Sequence, residues 1–312
     1  MLLSLIYRLD LIKNNPNPQL DCYQLLKYAP LLLLQGKNPY SEDNEYPRIK
    51  LADGSLFKIP AYSYGITPLL LLVPNNYLFK DPRYFFVLTE LLTVLVIFKI
   101  LRENKNKFSL NFLFPILYYW HPLSLYVITQ GFLEPLMLFL LILPLYLYYK
   151  NKINLSLLSF ALLINVKQTL FIVPFFLKKL KISQVVKLVG FISILIIPFF
   201  IWSPRDFLKF GLIYQYIDTN LAPIRLSTLT FNSLFYNFFG SNFPQILFFL
   251  IWLLTFIFIL KYQNKKYANI YFSLSLFYTV LSFFNYYSYN NYYYFSSLLI
   301  LIGLIWNIAE NK

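Results

Sequence analysis

Residues 244–260 read PQILFFLIWLLTFIFIL, a run without one Asp, Glu, Lys or Arg. A hydrocarbon core about 30 Å thick takes roughly 20 helical residues. A run of this length, free of charge and without two-residue alternation, reads as a membrane helix and not as a strand. Outward from it, charge-free runs recur at 111–128, 188–202, 267–284 and 292–309. Residues 84–101 admit Glu90 and Lys99, 132–149 only Glu134, and 154–177 only Lys167. Residues 64–79 are apolar but short and carry Pro68 and Pro74, which suits a half-span or interfacial helix. The expected fold class is all-α: a polytopic transmembrane bundle of about eight to ten membrane helices, some short or broken, with outer juxtamembrane helices in the first loop. Its two parts are an outer loop with a juxtamembrane helix over 1–63 and the helical bundle over 64–312, with an outer loop at 203–243.

Composition excludes the commonest alternatives. The chain is 58% hydrophobic and 13% charged, too apolar for an ordinary soluble enzyme or a disordered segment. Its single cysteine, Cys22, excludes an intrachain disulfide and a cysteine zinc site, and its single histidine, His121, a His-rich metal centre. The net charge of +14 comes from Lys and Arg scattered between apolar runs. That pattern points to a membrane surface and not to nucleic acid. P-loop, dinucleotide, Ser-His-Asp and zincin signatures are missing from the sequence.

Basic residues mark the cytoplasmic side. Arg102, Lys105 and Lys107 end the 84–101 run, and Lys150 and Lys152 follow the next two. Lys178, Lys179 and Lys181 then demand the same side, although only the 154–177 run lies between. A hairpin of two short helices with Val166–Gln168 at its tip resolves the conflict, since non-helical backbone is tolerated at membrane depth where it lines a protein cavity. The remaining runs alternate. On this topology only Glu103 and Glu310 of the thirteen acids lie inside, so any carboxylate chemistry faces the lumen or the exterior.

Three charged residues stand out. Asp21 precedes a helical stretch over 22–34 and reads either as its N-cap or as a general base that takes a proton from a hydroxyl. Glu134 heads the 132–149 helix, where it reads as a helix-start acid or as an assistant to that base. Lys167, at the hairpin tip, needs an anionic partner: Asp21, Glu134 or a phosphate. Arg225 is a second outer cation suited to a phosphate, and Tyr287 lies in a Tyr- and Asn-rich turn that serves as an aromatic belt or as a sugar contact. Glu90 reads as paired on the Lys99 side, His121 as a helix contact beside a proline kink, and Ser41–Glu45 as a solvated loop that could hold a divalent cation through hard oxygens.

The early Asp21-x-Tyr23, the following Gly36-x-Asn38-Pro39-Tyr40, the segment Tyr62–Pro68 entering the membrane, the turn Gln130-Gly131 with Glu134, and Lys167-Gln168 with Pro174 form a set. Together they resemble the polyprenyl-phosphate-sugar-dependent membrane glycosyltransferases of the GT-C superfamily, closest to the prokaryotic mannosyltransferase-like branch. The resemblance implies Asp21 as catalytic base with Glu134 beside it. Candidate substrate contacts on its motifs are Tyr23, Tyr40, Gln130, Lys167 and Gln168, joined by Arg225 and Tyr287 from the reading of the residues above. The implied partners are a polyprenyl-phosphate sugar, commonly mannose, an acceptor glycan, lipid or protein, and the lipid bilayer of a prokaryotic plasma membrane. It also implies a further span before residue 1; the Gly-Gln order of the family turn is reversed here. A transporter or lipid flippase, and a non-catalytic subunit of a glycan-assembly complex, are the competing readings.

Overall fold

The computed structural model describes residues 2–50, 54–103, 108–176, 180–213, 228–264, 266–285 and 288–310. They are overwhelmingly helical, with one antiparallel pair of two-residue strands, β1 (Ile49–Lys50) and β2 (Leu56–Phe57). Among the described residues, four helices are long and apolar enough to cross a membrane: α4 (Arg83–Glu103), α9 (Ile182–Trp202), α12 (Gln245–Tyr262) and α14 (Asn290–Glu310). At about 1.5 Å per residue each approaches the thickness of the hydrocarbon. A bent pair, α6 (Ser124–Gln130) and α7 (Glu134–Tyr149), makes a fifth candidate, its halves meeting at 116°. α9 and α12 leave most of their Ile, Leu, Phe and Val exposed. An apolar surface of that extent marks a multi-pass membrane protein, with lipid as the solvent of those helices.

The chain divides into two compact units. The first is built from described residues within 1–93, 125–174 and 179–217. It holds α1 (Leu2–Asn14), α2 (Asp21–Leu34), α3 (Ile66–Phe79), the first half of α4, and α6 and α7. It also holds α8 (Ile153–Ile164), α9 and the short α10 (Pro204–Asp206). α2 packs on α3, α7 on α8, and α8 on α9. α1 is fastened to α4 by a fully buried ion pair, Arg8 Nε to Glu90 Oε2 at 2.7 Å. Arg8 also donates to the Ser4 hydroxyl. Glu90 is thus paired with a neighbouring group and not on the Lys99 side: Lys99 is exposed, and the anion is neutralised one helix away by Arg8, as a buried carboxylate requires.

The described part of the 154–177 run is broken close to the position expected for a hairpin tip. α8 stops at Ile164, Asn165–Lys167 leave the helix, and a 3-10 helix runs from Gln168 to Phe176. The second arm is therefore a tighter helix than the first. The Tyr- and Pro-rich segment docks on this break. Gly65 N–H donates to Val166 O at 3.1 Å and Thr67 N–H to Asn165 O at 2.9 Å. The Thr67 hydroxyl donates to Leu162 O at 2.7 Å. A Cβ on Gly65 would lie 2.0 Å from Asn165 O, so only glycine permits the approach.

The second unit is built from described residues within 94–124, 175–178 and 218–312. It holds the second half of α4 and α5 (Phe108–Tyr119). It also holds α11 (Phe231–Phe239), α12, α13 (Tyr267–Phe283) and α14. The expected single helix over 111–128 is corrected here: α5 ends at Tyr119 and residues 120–123 interrupt it. Pro122 disfavours a helical His121. The His121 ring closes the gap instead: Nδ1 accepts from Leu123 N–H at 3.3 Å, and Nε2 lies 3.0 Å from the Ser297 hydroxyl of α14. α13 and α14 form the most closely packed pair. Gly303 admits the Phe272 ring where a Cβ would stand 2.7 Å away, and the Ser275 hydroxyl donates to Ser296 O at 2.8 Å.

Candidate active site

Asp21 is the first residue of α2. Leu20 is the cap and supplies no side-chain bond, so the expected N-cap role of Asp21 moves one position inward. Its Oδ1 accepts the Cys22 N–H at 2.7 Å. The side chain is solvent-accessible, yet protein surrounds it closely enough that desolvation raises its pKa above the ordinary 3.8. The backbone N–H groups of Cys22 and Asp21 and the positive charge of Lys167 pull the other way and do not cancel the rise.

Two further charges share that field. Glu134 is the first residue of α7 and is buried. Lys167 is buried in the break after α8. The thiol of Cys22, beside Asp21, reports all three: burial raises its pKa most, the charges of Asp21 and Glu134 raise it further, and Lys167 lowers it. Two carboxylates and one ammonium, drawn from α2, α7 and the α8 break, thus converge within electrostatic reach of one side chain. The three residues singled out from the sequence are brought together. Chemically, the group offers a base of raised proton affinity with a cation beside it.

The neighbouring tyrosines hold the site in place. Tyr23 and Tyr40 were expected at the substrate, but both are fully buried. The Tyr23 hydroxyl lies 3.1 Å from Pro16 O and 3.2 Å from Asp81 Oδ2. Its ring meets the turn at Gly131, whose φ of +74° and missing Cβ are both needed, since a Cβ would stand 2.7 Å from the ring. The Tyr40 hydroxyl donates to Tyr64 O at 3.0 Å, and its ring packs edge-on against Tyr62, Phe199 and Phe207. Gln130 ends α6, half-exposed beside Gly131. Gln168 opens the 3-10 helix directly after Lys167. Arg225 and Tyr287 lie outside the described residues.

The sequence reading overlooked Asp81 and Arg83. Arg83 is fully buried. It donates to Asp81 Oδ2 from Nη2 at 2.6 Å, to Thr129 O at 3.0 Å and to Ile12 O at 3.2 Å. Its guanidinium also lies over the Tyr23 ring, 5.1 Å from the centroid. One side chain thereby ties the end of α1, the start of α2 and the turn before Glu134. The signal was present in Asp81-Pro82-Arg83, opposite charges two residues apart at a helix start.

The Ser41–Glu45 loop is occupied by its own contacts. Glu42 pairs with Lys209, and the Ser41 hydroxyl donates to Asp43 Oδ2 at 3.3 Å. Among the described residues, three or more His, Cys, Asp or Glu nowhere gather closely enough to hold a metal ion. No family model matches the chain, and no curated protein matches it.

Proposed function

We propose that the chain is a membrane glycosyltransferase that moves a sugar, mannose by preference, from a polyprenyl-phosphate donor to an acceptor hydroxyl, with inversion. The observation that carries this reading is the exposed Asp21 at the head of α2, with Lys167 acting on its charge and Glu134 acting with both on the adjacent Cys22 thiol. In one displacement, Asp21 takes the proton of the acceptor hydroxyl. The freed oxygen bonds to the anomeric carbon, and the bond from that carbon to the phosphate oxygen breaks. The lipid phosphate leaves as an anion, stabilised by Lys167. Glu134 orients sugar hydroxyls. The accessible edge of Asp21 admits an acceptor, and the exposed apolar faces of the first unit suit a donor that stays dissolved in the bilayer. A prokaryotic plasma membrane is the proposed location.

The test is a product assay on purified protein in proteoliposomes with a panel of radiolabelled polyprenyl-phosphate sugars and mixed acceptors. Transfer from one or more of them, released as free polyprenyl phosphate plus glycoside, is the expected result. A second reading, a transporter or flippase, draws on the 116° bend between α6 and α7 and on the α8 break, because interrupted helices also build transport sites. Lipid-linked sugar flipped in the same vesicles without any glycoside formed would establish it and overturn the enzyme.

A further inference from the structure

Helix α11 has the sequence FNSLFYNFF. Nine residues span only about 14 Å, far short of a crossing. At about 100° per residue, Phe231, Leu234, Phe235 and Phe238 fall on one face and Asn232, Ser233, Tyr236 and Asn237 on the other. Asn232 and Ser233, the start of the polar face, are held by bonds within residues 230–243. Thr230 Oγ1 accepts from Ser233 N–H at 3.2 Å, Asn232 Oδ1 from Phe243 N–H at 2.8 Å, and Asn232 Nδ2 donates to Asn242 Oδ1 at 3.1 Å. Phe231 and Phe235 are clasped by the Phe243 ring at 5.1 and 5.2 Å. Beyond its first turn the helix is largely exposed: Leu234 is 51% exposed, Phe238 82% and Phe239 69%. Tyr236 and Asn237 are exposed alongside.

This arrangement reverses that of a soluble surface helix, and it has a continuation. Gly240, at φ +68°, ends α11, and α12 begins at Gln245. Ile246, Leu247, Phe249 and Leu250 then carry exposed apolar surface directly into a candidate span. We propose that α11 lies along the lipid–water boundary, with Leu234, Phe238 and Phe239 seated among headgroups and upper acyl chains and Tyr236 and Asn237 turned to water. Continuity with the lipid-facing surface of α12 favours the bilayer over a second copy as the occupant. The inference does not depend on the enzyme reading.

The test uses the full chain with Cys22→Ala, which leaves no other cysteine, reconstituted in phosphatidylcholine–phosphatidylglycerol vesicles. Spin labels are placed singly through Phe238→Cys, Leu234→Cys and Tyr236→Cys. Power saturation compares collision with oxygen, which partitions into lipid, against a water-soluble nickel chelate. Oxygen is expected to dominate severalfold at 238 and 234, and the chelate at 236. The Leu234 label serves as an independent reading if the Phe238 variant fails to insert. Dominance of the chelate at 238 and 234 would place the helix in water, and shielding from both probes would place protein over it; either result overturns the proposal.

Discussion

Asp21 combines two properties that oppose each other in most carboxylates, access to solvent and a raised proton affinity. The sign of the shift sets its pH behaviour. Folding favours the protonated form, so the residue's contribution to stability is full below its ordinary value of 3.8 and is lost as pH rises through the folded value. Catalysis runs oppositely, because a base must be ionised. Transfer should therefore rise with pH along an acid limb whose midpoint lies above 3.8, and Asp21→Glu should move that midpoint while Glu134→Gln should not abolish the limb. A rate profile against pH reads both. Arg83 makes a different prediction. Arg83→Ala removes the cation that neutralises the buried Asp81, and breaking such a pair costs about 3–5 kcal/mol. Thermal unfolding in detergent should fall by several degrees, with Arg83→Lys falling between, since an ammonium lacks the fork that reaches Asp81, Thr129 and Ile12 together.

At the scale of elements, the breaks matter more than the helices. Asp21, Glu134 and Lys167 all stand where a helix starts or stops, and the 62–68 segment buttresses the Lys167 break through Gly65 and Thr67. Gly65→Ala would push a methyl group against Asn165 O, so the segment must lift away. Proteolysis near residues 165–167 should become faster and transfer should drop by an order of magnitude or more, both measured on reconstituted protein; unchanged proteolysis would separate the segment from the break. Much of this was legible in the sequence. In a chain so poor in charge, an acid or a lysine inside an apolar run can only be a site or a paired defect, and the conflicting basic clusters located the α8 break. Tyr23 and Tyr40 were not legible, because tyrosine serves equally well at an interface, a sugar or a core. Only the surroundings, Gly131 for one and Phe199 with Phe207 for the other, decided it. At 120–123 Pro122 announced a kink, but the charge-free run gave no sign that the helix stops there.

Among the described residues, four long apolar helices and one bent pair point to a bilayer as the solvent of the chain. The topology read from the basic residues places both ends of the 154–177 run on one side. Single-cysteine labelling at Lys152 and Leu180 should therefore report the same side of sealed vesicles, and opposite sides would refute the hairpin. The central claim remains the chemistry at residue 21. Membranes carrying Asp21→Asn, matched to the unaltered protein for insertion, should lose transfer from a polyprenyl-phosphate sugar by about 100-fold or more, because the amide keeps the shape of the carboxylate and cannot take the proton. Transfer at the unaltered rate would remove Asp21 from the mechanism, and with it the reading of this chain as a glycosyltransferase built around that residue.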